Sequence, residues 1–190
     1  MRCFIAVDMP KGIKKQMHSV QKGFETFENI RLVNTKLLHC TLLFLGDINK
    51  KQIEDTKSAI ANAAASHNTI KCTLKSIGVF PNPAYIKVIW TGIQDNNQLA
   101  GIQKSLEAAL KEKRVYRPPN NCAQKFTPHI TIARVRSPDN KGSILEQIEK
   151  NTRFETPVFE ISEIKLKESI LLPGGPEYHD IAAYKLREHT

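Results

Sequence analysis

The tetrapeptide His39-Cys40-Thr41-Leu42 recurs as His129-Ile130-Thr131-Ile132, ninety positions later in a chain of 190 residues. Each copy lies in a run dense in aliphatic side chains, 37–45 and 129–135, of the kind that forms a strand. Residues i and i+2 of a strand share a face, about 6.5–7 Å apart. His39 and Thr41 therefore point one way, and Cys40 and Leu42 point the other way into a core. His129 and Thr131 repeat that arrangement. The flanks repeat as well. A strand and helix (2–29) precede the first motif, a strand and helix (84–112) precede the second, and a turn and helix (49–65 and 143–150) follow each. Such a chain is expected to form two α/β lobes related by pseudo-two-fold symmetry. If the two sheets meet in a cleft, the His/Thr faces meet there.

The remaining pattern is consistent with that frame. Residues 2–7 are an apolar strand ended by Asp8 and Pro10. Ile13, Met17, Val20, Phe24 and Phe27 recur at helical spacing over 11–29. In 49–65, Ile53, Ser58, Ala59 and Ile60 mark the inward side, with Asn49 as the cap. Residues 70–79 alternate as a half-exposed strand. Phe80-Pro81-Asn82-Pro83 then reads as a turn that no strand crosses. A strand over 84–91 and a helix over 97–112, with Leu99, Ile102, Leu106 and Leu110 on one stripe, come next. Residues 117–128 read as an irregular loop. Two or three strands, over 157–167, 168–172 and 180–186, close the chain, with a turn at Pro173-Gly174-Gly175-Pro176 between the last two. Helices interspersed with hairpin-like strand pairs, and no Gly-rich loop opening a helix, predict an α+β fold with antiparallel sheets. No linker marks separate domains, so residues 1–190 are expected to form a single bilobal domain.

A hydrophobic fraction of 41% excludes wholesale disorder. No apolar run approaches the roughly 20 residues of a membrane span, and the N-terminal stretch is too short for a signal peptide. A cytosolic location is the expectation. Cysteines 3, 40, 72 and 122 form no CxxC pair, and three lie in apolar runs, so they read as buried thiols. The 28 basic side chains exceed the 19 acidic ones by nine. That excess points to a polyanionic partner, of which RNA, DNA, nucleotides and acidic lipid surfaces all qualify.

Two imidazoles facing each other can act as one acid and one base near neutral pH, because free histidine titrates near 6.5. Two hydroxyls beside them can donate hydrogen bonds to the nonbridging oxygens of a tetrahedral anion. That set suits phosphodiester cleavage with neither metal nor cofactor. One histidine activates the nucleophile and the other protonates the leaving oxygen. Neither HxH nor HExxH occurs, and no carboxylate adjoins either motif, which counts against a metallohydrolase. A noncatalytic RNA-binding module is the competing class, but binding alone does not need paired acid and base groups.

The chain resembles the two-histidine (2H) phosphoesterases, and within them the RNA 2′,3′-cyclic phosphodiesterases also called 2′-5′ RNA ligases. The resemblance runs over nearly the whole length. It rests on Arg2-Cys3-Phe4-Ile5-Ala6-Val7, on Leu38 to Gly46 around the first motif, and on Gly78-Val79-Phe80-Pro81. It continues through Thr127 to Arg134 at the second motif and Gly175-Pro176-Glu177-Tyr178. Two departures are mild. Cys40 stands where the family more often has an aliphatic residue, and Asn34-Thr35-Lys36-Leu37 lacks the family's usual proline. The resemblance implies a bilobal fold with the active site in the cleft. It implies that His39 is the proton donor to the leaving 3′-oxygen and His129 the base for water, with a 2′-phosphomonoester as product. Thr41 and Thr131 would hold the phosphate. Joining of RNA ends through a 2′-5′ bond would be the reverse reaction at the same site. RNA ends or nucleotides carrying a 2′,3′-cyclic phosphate, tRNA fragments among them, are the implied substrates, and no obligate protein partner is expected.

Arg134 resembles the family arginine beside the phosphate. Its parity is wrong for an unbroken strand, since 129, 131 and 133 share a face; a bulge or the strand's end would correct it. Phe80 and Tyr85 flank the Pro-rich turn and read as core aromatics, with stacking on a base as the alternative; Tyr178 is a candidate to border the cleft. His18, His67, His179 and His189 have no partner pattern and read as solvated. Lysines 11, 14, 15, 22, 50, 51 and 57 read as exposed helix faces.

Overall fold

The computed structural model describes residues 1–118, 126–137 and 139–188. In chain order they form β1 (Arg2–Asp8), α1 (Lys11–Lys22), β2 (Ile30–Leu32), a 3-10 turn at Thr35–Leu37, β3 (His39–Asp47), α2 (Lys50–Ser66), β4 (Ile70–Asn82) and β5 (Tyr85–Gln94). Then come α3 (Gln98–Glu112), β6 (His129–Val135), α4 (Lys141–Glu149), β7 (Phe159–Ile161), β8 (Glu163–Leu172) and β9 (Gly175–Lys185). Two sheets result, in the orders β3-β1-β8-β9 and β2-β6-β5-β4-β7. Every pairing between these strands is antiparallel. The predicted α+β class holds.

The pseudo-symmetry is legible in the strand orders. In each sheet the motif strand (β3 or β6) pairs with the strand that precedes it across a helix (β1 or β5). A third strand (β8 or β4) and a fourth (β9 or β7) lie farther outward. The helices cross over between halves: α1 reaches β6, and α3 lies against β3. Gln21 on α1 ties this crossing down. Its buried side-chain amide donates to the carbonyls of Val33 at 2.7 Å and Ile132 at 2.8 Å, so the polar group is satisfied where water cannot reach. The core is one continuous cluster. It takes Ile5, Val7 and Cys40 from the first sheet, Ile89, Ile130 and Ile132 from the second, and the whole Leu99-Ile102-Leu106-Leu110 stripe of α3. Each such aliphatic side chain contributes roughly 1.5–3 kcal/mol by leaving water.

Asn49 caps α2 as expected. Its side chain accepts from Gln52 N at 3.0 Å, and the Gln52 side chain accepts from Asn49 N at 3.0 Å, a complete capping box. The inward side of α2 differs from the expectation in one place: Thr56 is buried and Ser58 is exposed, because the 53, 56, 60, 63 spacing matches the helical period more closely. Helix α1 ends at Lys22 rather than running to 29, yet Phe24 is still fully buried and Phe27 packs on the core. Apolar spacing there marks core contact after the helix has stopped. Strand β2 carries no signal in the sequence pattern that predicts it.

The Phe80-Pro81-Asn82-Pro83 turn is overturned. β4 continues through a cis Phe80–Pro81 bond to Asn82, and the chain reverses at Pro83-Ala84. Pro81 is tolerated because the ladder shifts register between Phe80 and Pro81. In addition, β7 pairs with Ile70 to Cys72, and among the described residues no strand covers the other edge of β4 at this point. Near the C-terminus the break falls at Ser162 rather than after 167, so β8 is one strand from Glu163 to Leu172. It turns at Pro173-Gly174 into β9, which begins at Gly175 with φ +128°, a backbone angle that favours glycine. Cys3, Cys40 and Cys72 are buried thiols; Cys122 and His189 lie outside the described residues.

Candidate active site

The two motifs are built alike down to their irregularities. In the β1–β3 ladder, Ile5 pairs with Leu43 and Ala6 with Thr41, leaving Leu42 as an extra residue. In the β5–β6 ladder, Ile89 pairs with Ala133 and Trp90 with Thr131, leaving Ile132 extra. Each bulge sits at the last position of its motif. It reverses the side-chain parity of the residues beyond it, so Leu43 and Ala133 turn inward while Phe44 and Arg134 turn out. Arg134 thereby joins His129 and Thr131 on one face, which resolves its parity.

The imidazoles are held in matching orientations. His39 Nδ1 lies 2.6 Å from the Leu37 carbonyl, and His129 Nδ1 lies 2.7 Å from the Thr127 carbonyl. A carbonyl only accepts, so Nδ1 carries the proton in both rings and Nε2 is the basic atom of each neutral form. His39 Nε2 is 3.1 Å from Thr41 Oγ1. Aromatic rings brace both histidines. Phe4 and Tyr178 lie 5.1 and 5.3 Å from His39. Phe80 and Trp90 lie 5.0 and 6.0 Å from His129. Phe80 in turn stacks on Trp90 at 4.9 Å and 26°. The indole lies over Gly78, where a Cβ would meet Trp90 Cζ2 at 2.4 Å.

The two sheets meet along their motif strands, β3 and β6. The backbone of His129 lies beside the Cys40 thiol, so the motif strands touch next to their histidines. Arg31 of β2, the cross-strand partner of Arg134, donates to the Gly174 carbonyl in the β8–β9 turn. Burial pushes the Tyr178 phenol up overall, although the Arg134 and Arg2 charges both reach it and favour its phenolate. Cys40 points away from the cleft into the core, and burial raises its thiol to about 12, which removes it as a nucleophile at neutral pH.

Burial holds both imidazoles below their ordinary value of 6.5. The bonds to Leu37 and Thr127 partly oppose this. Among the described residues a carboxylate reaches His39 and none reaches His129: Asp8, the cross-strand partner of His39, favours the charged ring, while Lys167 and Lys14 disfavour it. Asp8 belongs to an ion cluster. Lys165 and Lys167 each lie 3.0 Å from its carboxylate and both bind Asp180 as well. Although burial works against its charge, hydrogen bonds to Asp180, Asp8 and Glu163 raise Lys165 above its ordinary value. Asp8, Lys36, Lys167, Tyr178 and Asp180 line a pocket of about 380 Å³ that opens beside His39.

The structure thus brings His39, Thr41, Tyr178 and Phe4 together on one wall and His129, Thr131, Arg134, Phe80 and Trp90 on the other. Tyr85 stands apart at the β4–β5 turn under the Lys87 ammonium, 4.7 Å from its ring centre. Lys14 is not a freely exposed lysine: its Nζ donates to the Lys36 carbonyl at 2.9 Å. Sequence reasoning does not single out Phe4, Asp8, Lys167, Asp180 or Trp90. The signal for two of them is present, because β1 alternates Cys3, Ile5 and Val7 against Phe4, Ala6 and Asp8.

Comparison with known proteins extends these observations. The family model described as "2'-5' RNA ligase superfamily" matches residues 10–169. A protein of Methanocaldococcus jannaschii named RNA 2′,3′-cyclic phosphodiesterase is 37% identical over 95% of this chain and 98% of its own. The crystal structure of TT0787 of Thermus thermophilus superposes with a TM-score of 0.84 at 24% identity, covering all of both chains. That of E. coli LigT complexed with 3′-AMP superposes at 0.77 with 21% identity, covering 97% of each.

Proposed function

The chain belongs to the 2′-5′ RNA ligase superfamily, and we propose that it is an RNA 2′,3′-cyclic phosphodiesterase working by acid–base catalysis between His39 and His129. The observation that carries this reading is the matched pair of imidazoles, each locked through Nδ1 to a carbonyl two residues back so that Nε2 is left for chemistry. The homologous Methanocaldococcus protein bears the same activity in its name.

The course of each proton is set by the tautomers. Neutral His129 takes a proton from water at Nε2, and the water oxygen bonds to phosphorus. The bond from phosphorus to O3′ breaks. Charged His39 gives its Nε2 proton to O3′, leaving a 2′-phosphomonoester and a 3′-hydroxyl. Of the two rings, His39 is the one that Asp8 reaches and favours in its charged form, against burial and the Lys167 and Lys14 charges, which disfavour it. The Thr41 and Thr131 hydroxyls donate to the nonbridging oxygens, and Arg134 offsets the charge that grows there. A 5′-hydroxyl end in place of water leaves a 2′-5′ bond, so ligation is open to the same groups.

The test is phosphorus NMR of the product from a 2′,3′-cyclic nucleotide, with and without a chelator. The expected product is the 2′-monoester at a chelator-independent rate. His39→Ala and His129→Ala should each lose about 10²–10⁴ in rate while keeping the wild-type melting temperature. A 3′-monoester, or tight binding of the cyclic nucleotide with no turnover, would overturn the reading; the latter would leave a noncatalytic RNA-binding module.

A further inference from the structure

Phe44 occupies the position in the first lobe that Arg134 occupies in the second, five residues after the histidine and just past the bulge. Without the bulge it would face the core with Cys40 and Leu42. With it, the ring stands 71% exposed on the face that carries His39 and Thr41. A second register shift, which leaves Leu45 unpaired, comes directly after and pins Phe44 opposite Phe4. The Phe44 and Phe4 rings are 6.2 Å apart, and Phe4 contacts His39 and Tyr178. An aromatic track therefore leads from the reacting centre to an uncovered ring. Arg2 lies two residues before Phe4 on unbroken β1, so it shares that face, and it is exposed.

Spacing indicates what this track meets. His39 pairs with Asp8 and Phe44 with Phe4, four residues apart on β1, a span of about 13 Å at the usual strand rise. That is too far for the base of the nucleotide whose phosphate sits at His39, and within reach of the next base along the chain. The geometry points to an upstream nucleotide subsite on the first sheet, in which the ring of Phe44 stacks on the base preceding the cyclic end and Arg2 meets that nucleotide's backbone phosphate. This deepens the cyclic phosphodiesterase reading and rests on it. The chemistry suits RNA in particular. Every base offers a π-face, so a bare aromatic ring is sequence-tolerant, and a neighbouring guanidinium supplies the charge that tracks the backbone. The enzyme then measures a strand, not merely a cyclic phosphate.

The experiment compares a 2′,3′-cyclic mononucleotide, which does not reach Phe44, with a trinucleotide ending in the same cyclic phosphate. Phe44→Ala should raise KM for the trinucleotide roughly 5- to 150-fold, the range of one lost stacking contact. KM and kcat for the mononucleotide should stay within about twofold, and Phe44→Trp should retain the trinucleotide preference. Arg2→Ala should raise the trinucleotide KM and flatten its salt dependence. Equal losses on both substrates would assign Phe44 to the shape of the reacting centre and overturn the subsite. So would a Phe44→Ala enzyme unchanged on both. In either case wild-type turnover of the mononucleotide leaves the phosphodiesterase reading standing, whereas a wild-type protein that turns over neither substrate overturns both.

Discussion

Gly78→Ala tests whether the aromatic bracing of His129 is what positions it. A Cβ on residue 78 would lie 2.4 Å from Trp90 Cζ2 and 2.7 Å from Cε2 and Cη2. Carbon atoms rest about 3.5–4.0 Å apart, so the indole must move by about 1 Å or more. It cannot do so alone, since one face is stacked on Phe80 and both rings border His129. Overpacking of this kind costs about 1–3 kcal/mol. For 190 residues the unfolding entropy is about 0.4 kcal/mol/K, which converts that cost to a fall of about 3–8 °C in melting temperature. A displacement near 1 Å at a catalytic group can cost roughly 100-fold in rate, so kcat on a 2′,3′-cyclic nucleotide should drop about 10- to 100-fold. Differential scanning fluorimetry and steady-state kinetics read the two effects. Trp90→Leu removes the clashing ring, and in that background Gly78→Ala should be close to silent, within about 0.5 kcal/mol. A Gly78→Ala protein with wild-type melting and turnover would refute the argument. A cost undiminished when residue 90 is Leu would refute it as well.

Thr41→Val or Thr131→Val keeps the branched shape but removes a hydroxyl aimed at a charged phosphate, worth about 1.5–3 kcal/mol; kcat/KM should fall roughly 10- to 150-fold, with Thr→Ser costing much less. An active double valine variant would sink the phosphate-holding role. Burial lowers both imidazoles, so both limbs of the kcat/KM profile shift to the acid side and the bell of the free enzyme should centre below pH 6.5; a profile flat from pH 5 to 9 would count against two-histidine catalysis. The same direction governs stability. The unfolded chain takes up protons at these histidines first as pH falls through 6.5, so melting temperature should be lower at pH 5.5 than at pH 7.5. Lys167→Met leaves Asp8 and Asp180 only Lys165 as a partner and should lower melting by about 3–8 °C, a cost of about 1–3 kcal/mol moderated by the carboxylates' partial exposure; equal melting would mean the cluster adds nothing to the fold.

Local rules made much of this protein legible in advance. The period-2 alternation of β3 and β6 put each histidine on a face with its threonine and sent Cys40 and Ile130 inward, because side-chain direction in a strand is set by the backbone alone. The α3 stripe and the Asn49 cap come from helical spacing and from orphan N–H groups, both properties of a few neighbouring residues. Duplication of the motif at ninety residues was enough to imply two sheets built on the same strand pattern.

What depended on contacts between distant segments was not legible. Sequence parity put Arg134 and Phe44 on the core side of their strands. Only the ladders with β5 and β1, which leave Ile132 and Leu42 without partners, turn them outward. Pro81 reads as a strand breaker until the register shift and the bare edge of β4 at that position are seen. Trp90 is an ordinary strand aromatic until a glycine on the neighbouring strand, twelve residues earlier, is found beneath it. Asp8 became His39's electrostatic partner through pairing across thirty-one positions, and Lys167 joined them from the far end of the chain. A residue's type and spacing fix the direction in which its side chain leaves its own strand. Which other strand lies alongside, and in what register, is decided by the packing of the whole chain, and that decision sets which groups the histidines face.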